Sequence, residues 1–178
     1  MKPNAKQDQE PIRTALTLSD GIDFSIIELL FFAYRDFTSD PDQILERYSF
    51  GRAHHRIVHF VNRRPGLTVA ELLDVLQITK QSLARVLKQL IDSGYITQIQ
   101  GVHDRRQREL YPTRKGRDLA MALATPQSRR IGAAIGPYSA DERKAIEGFL
   151  RAMVNPELRA QVDGLAGSGT DERADVND

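Results

Sequence analysis

Between Thr79 and Tyr111 the apolar residues change period once, at Gly94. Before it, Leu83, Val86, Leu87, Leu90 and Ile91 recur at the three- and four-residue spacing of one helix face. After it, Tyr95 to Ile99 turns toward alternation, and Glu109 to Tyr111 resumes that alternation beyond the charged stretch Gly101 to Arg108. A helix that stops on a glycine and runs straight into a hairpin leaves few architectures open. The helix packs one apolar face, and Lys80, Gln81, Ser82, Arg85 and Lys88 point elsewhere.

Upstream, Thr68 and Glu71 have the spacing of a capping box, in which the threonine hydroxyl accepts from the fourth residue's amide while the glutamate reaches back. The spacing predicts a short helix to about Leu76, a turn at Gln77 and Ile78, and the longer helix from Thr79. A helix over Arg52 to Asn62 should end at Pro65 and Gly66, and helix should return from Arg114 to Arg130. Ser139 and Glu142 form a second capping box, opening a helix to about Met153. Asp40 before Pro41 reads as an N-cap with proline in the first helical position, starting a short helix toward Tyr48.

The segment Ile22 to Tyr34 is apolar on nearly all sides at helical length, more than one small core needs, and this points to burial against a second chain. The fold expected is mainly α with a small β wing: a winged helix-turn-helix domain plus dimerisation helices from both ends of the chain. Its parts are a flexible segment over 1–18, N-terminal dimerisation helices over 19–50, the winged domain over 51–116, C-terminal dimerisation helices over 117–155 and a flexible tail over 156–178.

The formal charge of +1 conceals an uneven distribution. Residues 1–50 carry five Lys and Arg against nine Asp and Glu, whereas residues 79–117 carry nine against three. A basic stretch on a helix and a hairpin suits double-stranded DNA. The major groove admits a helix whose Gln81, Ser82 and Arg85 can meet base edges, with Thr79 and Lys80 holding phosphates at its start. Arg105, Arg106 and Arg108 at the hairpin tip can enter the narrow minor groove, where negative potential is concentrated. Lys88 continues the outward row.

These stretches together resemble the MarR family over roughly residues 20–155. The most specific piece is Asp104 and Arg106 followed by Thr113 and Gly116, the family's wing pattern of Asp-x-Arg, six residues, then Thr-x-x-Gly. The resemblance implies that Arg106 is the wing residue of the minor groove and that Asp104 shapes its loop. Pro112 departs from the family's usual aliphatic residue and removes one backbone donor from the second wing strand. Leu76 to Leu87 is similar to the recognition-helix stretch, with Arg85 on a frequent arginine. Arg52 to Val58 is similar to a segment in which tryptophan commonly stands at His55. That side implies a ligand crevice between dimer helices and DNA-binding lobe, lined here by Arg52, His55 and His59.

The implied function is a homodimeric, sequence-specific transcriptional regulator, a repressor on a pseudo-palindromic operator, released by a small-molecule effector. An acidic protein partner for the basic face is the competing reading. His55 and His59 share a helix face and raise a metal- or haem-sensor alternative, but they lack a third protein ligand, and Arg56 stands where a zincin would have its glutamate. No metal or other cofactor is expected. With no cysteine there is no disulfide, thiolate site or thiol switch. No phosphate loop or nucleophile elbow is present, so no enzymatic activity is expected. No apolar run reaches the roughly 18 residues of a membrane span, and the polar start lacks signal-peptide order, which together suggest no membrane partner and a cytoplasmic chain.

Overall fold

The computed structural model describes residues 21–101 and 106–167, the side chains of 165–167 excepted. Its elements in chain order are α1 Phe24–Glu46, α2 Arg52–Arg63, β1 Leu67–Thr68, α3 Val69–Leu76, α4 Lys80–Asp92, β2 Ile96–Gln100, β3 Arg108–Pro112, α5 Arg114–Ile135, α6 Ala140–Met153 and α7 Pro156–Gly167. The three strands form one antiparallel sheet in the order β1-β3-β2. The chain falls into two compact units, one ending at Asp36 and the other beginning at Phe37.

In the first unit α1 opens on Asp23, whose carboxylate accepts from the Ser25 amide at 3.0 Å and the Ser25 hydroxyl at 2.6 Å. These bonds hold its carboxyl below the usual carboxylate range. The apolar residues that follow, Ile26, Leu29, Phe31 and Phe32 among them, are exposed on the single chain.

The core lies in the second unit. Leu83, Val86, Leu87 and Leu90 bury the face of α4 that the spacing marked, with Ile91 half-buried beside them. They pack with Ile57, Val58 and Val61 of α2, Leu72 and Leu76 of α3, Leu110 at the centre of the sheet, and Leu119 and Leu123 of α5. Burying a leucine fully contributes roughly 1.5–3 kcal/mol, so this shared face is the main force that docks α4 on α2. Gly94, at φ 75°, ends α4, with the Tyr95 amide donating back to the Leu90 carbonyl at 2.9 Å. Both capping boxes form: Glu71 N donates to Thr68 Oγ1 at 3.2 Å, and Glu142 N donates to Ser139 Oγ at 3.4 Å.

Three expectations need correction. Asp40 and Pro41 do not start a new helix, because Pro41 lies inside a continuous α1. A proline there leaves the Phe37 carbonyl without its helical donor, and the Gln127 side chain of α5 supplies one at 3.4 Å. Helix α5 runs past Arg130 to Ile135 despite Pro126. Its end is held by Arg143, whose guanidinium donates to Gly136 O at 3.0 Å and Tyr138 O at 2.8 Å. Residues 156–167 are helical rather than a flexible tail: Pro156 begins α7, Glu157 suits the N-terminal dipole, and Arg159 donates to Val154 O and Ala152 O. Strand β1 went unforeseen, since two residues cannot display a period. The segments 1–20 and 168–178 lie outside the described residues.

Candidate nucleic-acid interface

Thr79 caps α4: its hydroxyl accepts from Ser82 N at 3.2 Å and donates to Ser82 Oγ at 2.9 Å. Both side chains are therefore committed to shaping the helix start while remaining exposed. Lys80, Gln81 and Arg85 are exposed outward of the buried face. Lys88 is also exposed, but it pairs with Asp92 one turn on. An exposed ion pair of this kind is worth little and can yield to a phosphate.

The wing is built from β2 and β3, with Ile96 opposite Pro112 and Gln100 opposite Arg108. Gly101 N donates to Gln107 O and Thr113 N to Tyr95 O, each at 3.1 Å. Rungs alternate in an antiparallel ladder, so Pro112 falls between two of them and its nitrogen faces away from β2. The proline thus removes a donor that this ladder does not use. Beyond Pro112, Thr113 caps α5 by accepting from Gly116 N at 3.0 Å, and its hydroxyl donates to Gly94 O at 2.7 Å. The same threonine joins the end of α4, the end of the wing and the start of α5. Gly116 is forced by contact, because a Cβ there would lie 2.0 Å from Tyr95 O.

At the tip end of the wing, Arg106, Gln107 and Arg108 face Lys80 and the start of α3 across a groove of about 370 Å³, lined also by Thr68, Val69, Ala70 and Leu73. Three cations from two separate stretches of sequence thereby line one groove beside the start of α3. Asp104 and Arg105 lie outside the described residues. Lys115, counted with the basic stretch, is spent on the fold: its ammonium donates to Ser93 O at 2.9 Å and sits 4.2 Å from the Tyr95 ring centre.

Residues 48–107 match a family model described as MarR family. The HTH-type transcriptional regulator PetP of Rhodobacter capsulatus is 48% identical over 149 residues, 82% of this chain and 88% of the relative. The chain belongs to the MarR family of transcriptional regulators. Among solved structures, a MarR protein from Peptoclostridium difficile superposes with a TM-score of 0.64 at 18% identity, over 88% of this chain and 97% of that one. A mutant S. aureus MepR bound to an oligodeoxyribonucleotide gives 0.51 at 19% identity, over 74% and 96%. At such identities the structures speak for the fold, a winged helix-turn-helix.

In this MarR chain the residues expected to line a ligand crevice lie along α2. Arg52 pairs with Asp42 at 2.8 Å, His55 is half-buried, and His59 is exposed with its ring edge-on to Phe60. Arg52 lines a small cavity with Ala53, Arg56, Leu76 and Ile78. Among the described residues no three His, Cys, Asp or Glu side chains gather closely enough to hold a metal ion. Burial, then the neighbouring His59, holds the His55 imidazole below its usual 6.5, with Arg56 adding and Asp42 opposing. Partial desolvation and Arg63 do the same for His59.

Both rings therefore bind protons less well folded than unfolded, and the sign of the linkage follows. Their contribution to stability is present above about pH 6.5 and is lost as pH falls through the lower folded values. Urea midpoints should fall between pH 7.5 and 5.5, and replacing both histidines by glutamine should flatten that fall. An unchanged slope in the double variant would refute the assignment. The carboxylates with lowered values, Asp23, Glu71 and Glu142, act in a more acidic window.

Proposed function

We propose that this MarR-family chain acts in the cytoplasm as a homodimer that binds double-stranded DNA sequence-specifically, α4 in the major groove and the wing along the minor groove. The observation that carries the reading is the groove where Lys80, Arg106 and Arg108 converge at the start of α3, flanked by the outward row of Gln81 and Arg85 on α4. Phosphates positioned there would set the register, and base-edge contacts from α4 would give the sequence preference. A protein of the same fold, the S. aureus MepR mutant, is bound to an oligodeoxyribonucleotide, which supports DNA as the partner. Two half-sites should lie about one helical turn, roughly 34–36 Å, apart. Repression by occupying the operator, relieved by a small ligand that changes the spacing of the two lobes, completes the reading.

Sequences selected from a random duplex pool, then titrated beside unselected duplex at several salt concentrations, provide the test. The selected duplex should bind more tightly, and both affinities should fall steeply with salt. Equal binding of the two, or no dependence on salt, would favour an acidic protein partner instead. The dimer has its own check. Leu29, Phe31 and Phe32 in the first unit and Met121, Leu150 and Met153 in the second are all more than half exposed on the single chain, a larger apolar surface than a monomer ordinarily leaves in water. Light scattering at micromolar concentration should return twice the 20.1 kDa of one chain, and a stable monomer would sink the two-half-site scheme.

A further inference from the structure

His54 belongs neither to the expected crevice nor to the DNA-facing row, yet it is the buried histidine, 9% exposed at the third position of α2. Its Nδ1 accepts from the Gly51 amide at 3.0 Å. An amide can only donate, so the hydrogen of the neutral ring sits on Nε2, which donates to Gln89 Oε1 of α4 at 2.9 Å. The ring lies flat on Phe50, with centres 4.5 Å apart and planes 8° apart. Phe50 stands edge-on to Tyr95 at 5.2 Å, and Tyr95 carries the Lys115 ammonium that caps Ser93. One stack of rings thus grips the second half of α4 at two points, Gln89 and Ser93.

Gln89 is four residues beyond Arg85 and eight beyond Gln81, so the three lie along one side of α4. The apolar face of α4 binds it to the core, but hydrophobic contact is non-directional and tolerates small rotations about the helix axis. A hydrogen bond from a buried, stacked ring does not. We infer that His54 is a positioning residue for DNA recognition: through its bond to Gln89 it fixes the rotation of α4 and hence the aim of Gln81 and Arg85. The inference rests on the DNA-binding reading above.

The test is a double-mutant cycle on the ratio of affinities for selected and random duplex. His54→Phe keeps a ring against Phe50 and removes the bond to Gln89, whereas Gln89→Ala removes the bond from an exposed position where folding is safe. Gln89→Ala should lower the ratio about fivefold, the worth of one net hydrogen bond of about 1 kcal/mol, and should do nothing further in the His54→Phe background. Equal effects of Gln89→Ala in both backgrounds would show that Gln89 itself meets the bases, and would overturn the inference. So would a His54→Phe protein that melts earlier but discriminates as well as wild type, the behaviour of a mere helix cap. Should His54→Phe fail to fold, Gln89→Glu decides: it keeps the oxygen that accepts from His54 and should keep the wild-type ratio, and a loss as large as that of Gln89→Ala would overturn the proposal. Wild type that binds both duplexes alike would remove the DNA reading and this inference with it, an outcome distinct from the additive cycle, which removes the inference alone.

Discussion

Replacing Gly116 by alanine is expected to cost at least about 3 kcal/mol and to lower the thermal midpoint by roughly 6–12 °C, read by circular dichroism. The added Cβ would stand 2.0 Å from the Tyr95 carbonyl oxygen and 3.0 Å from its carbon, and both are backbone atoms. That carbonyl cannot swing away, because Thr113 binds it through its amide at 3.1 Å and its hydroxyl at 3.2 Å. Relief requires α5 to slide off the start of β2, which would break the Thr113 cap and uncover Leu119 and Leu123, both buried. Gly132 in the same helix is the control. Nothing lies within 4 Å of its missing Cβ, so Gly132→Ala should stabilise by roughly 0.5–1 kcal/mol on helix propensity alone. Equal midpoints for Gly116→Ala and wild type would show that the close approach is not a real constraint.

The same contact explains why part of the wing pattern could be read from sequence. Thr113 and Gly116 stand three positions apart, the spacing of a helix cap, and both are needed where α5 meets Tyr95. Local chemistry of that kind was legible throughout: Thr68 with Glu71, Ser139 with Glu142, and the apolar face of α4 ending at Gly94. Partners distant in sequence were not. Pro41 looked like a helix start because its compensating donor, Gln127, lies 86 residues further along the chain. Helix α5 looked shorter because the arginine that holds the turn just past its end, at Gly136 and Tyr138, belongs to α6. At the site, Lys115 carried the right charge but its amine is turned to Ser93 and Tyr95, and nothing in the sequence singled out His54, whose partners Gln89 and Phe50 meet its ring only in the fold. Charge and residue type place a side chain on a list of candidates, whereas its hydrogen-bond partners decide whether it remains available.

Arg106 and Arg85 should fail in different ways. Arg106→Ala should weaken binding to selected and random duplex alike and reduce the salt slope by about one per half-site, because it removes a cation from the wing groove shared with Lys80 and Arg108. Arg85→Ala, or Gln81→Ala, should cost about 1–3 kcal/mol on the selected duplex and much less on the random one, because groove-edge hydrogen bonds carry the sequence information. Lys88→Ala should weaken both duplexes slightly and alike, because its exposed pair with Asp92 can yield to a phosphate. Titrating each variant against both duplexes at several salt concentrations separates an electrostatic loss, which follows the slope, from a loss of discrimination, which does not. If Arg106→Ala leaves both affinities intact, the wing is not an arm on DNA, and the cations gathered at the start of α3 would have to face an acidic protein surface instead.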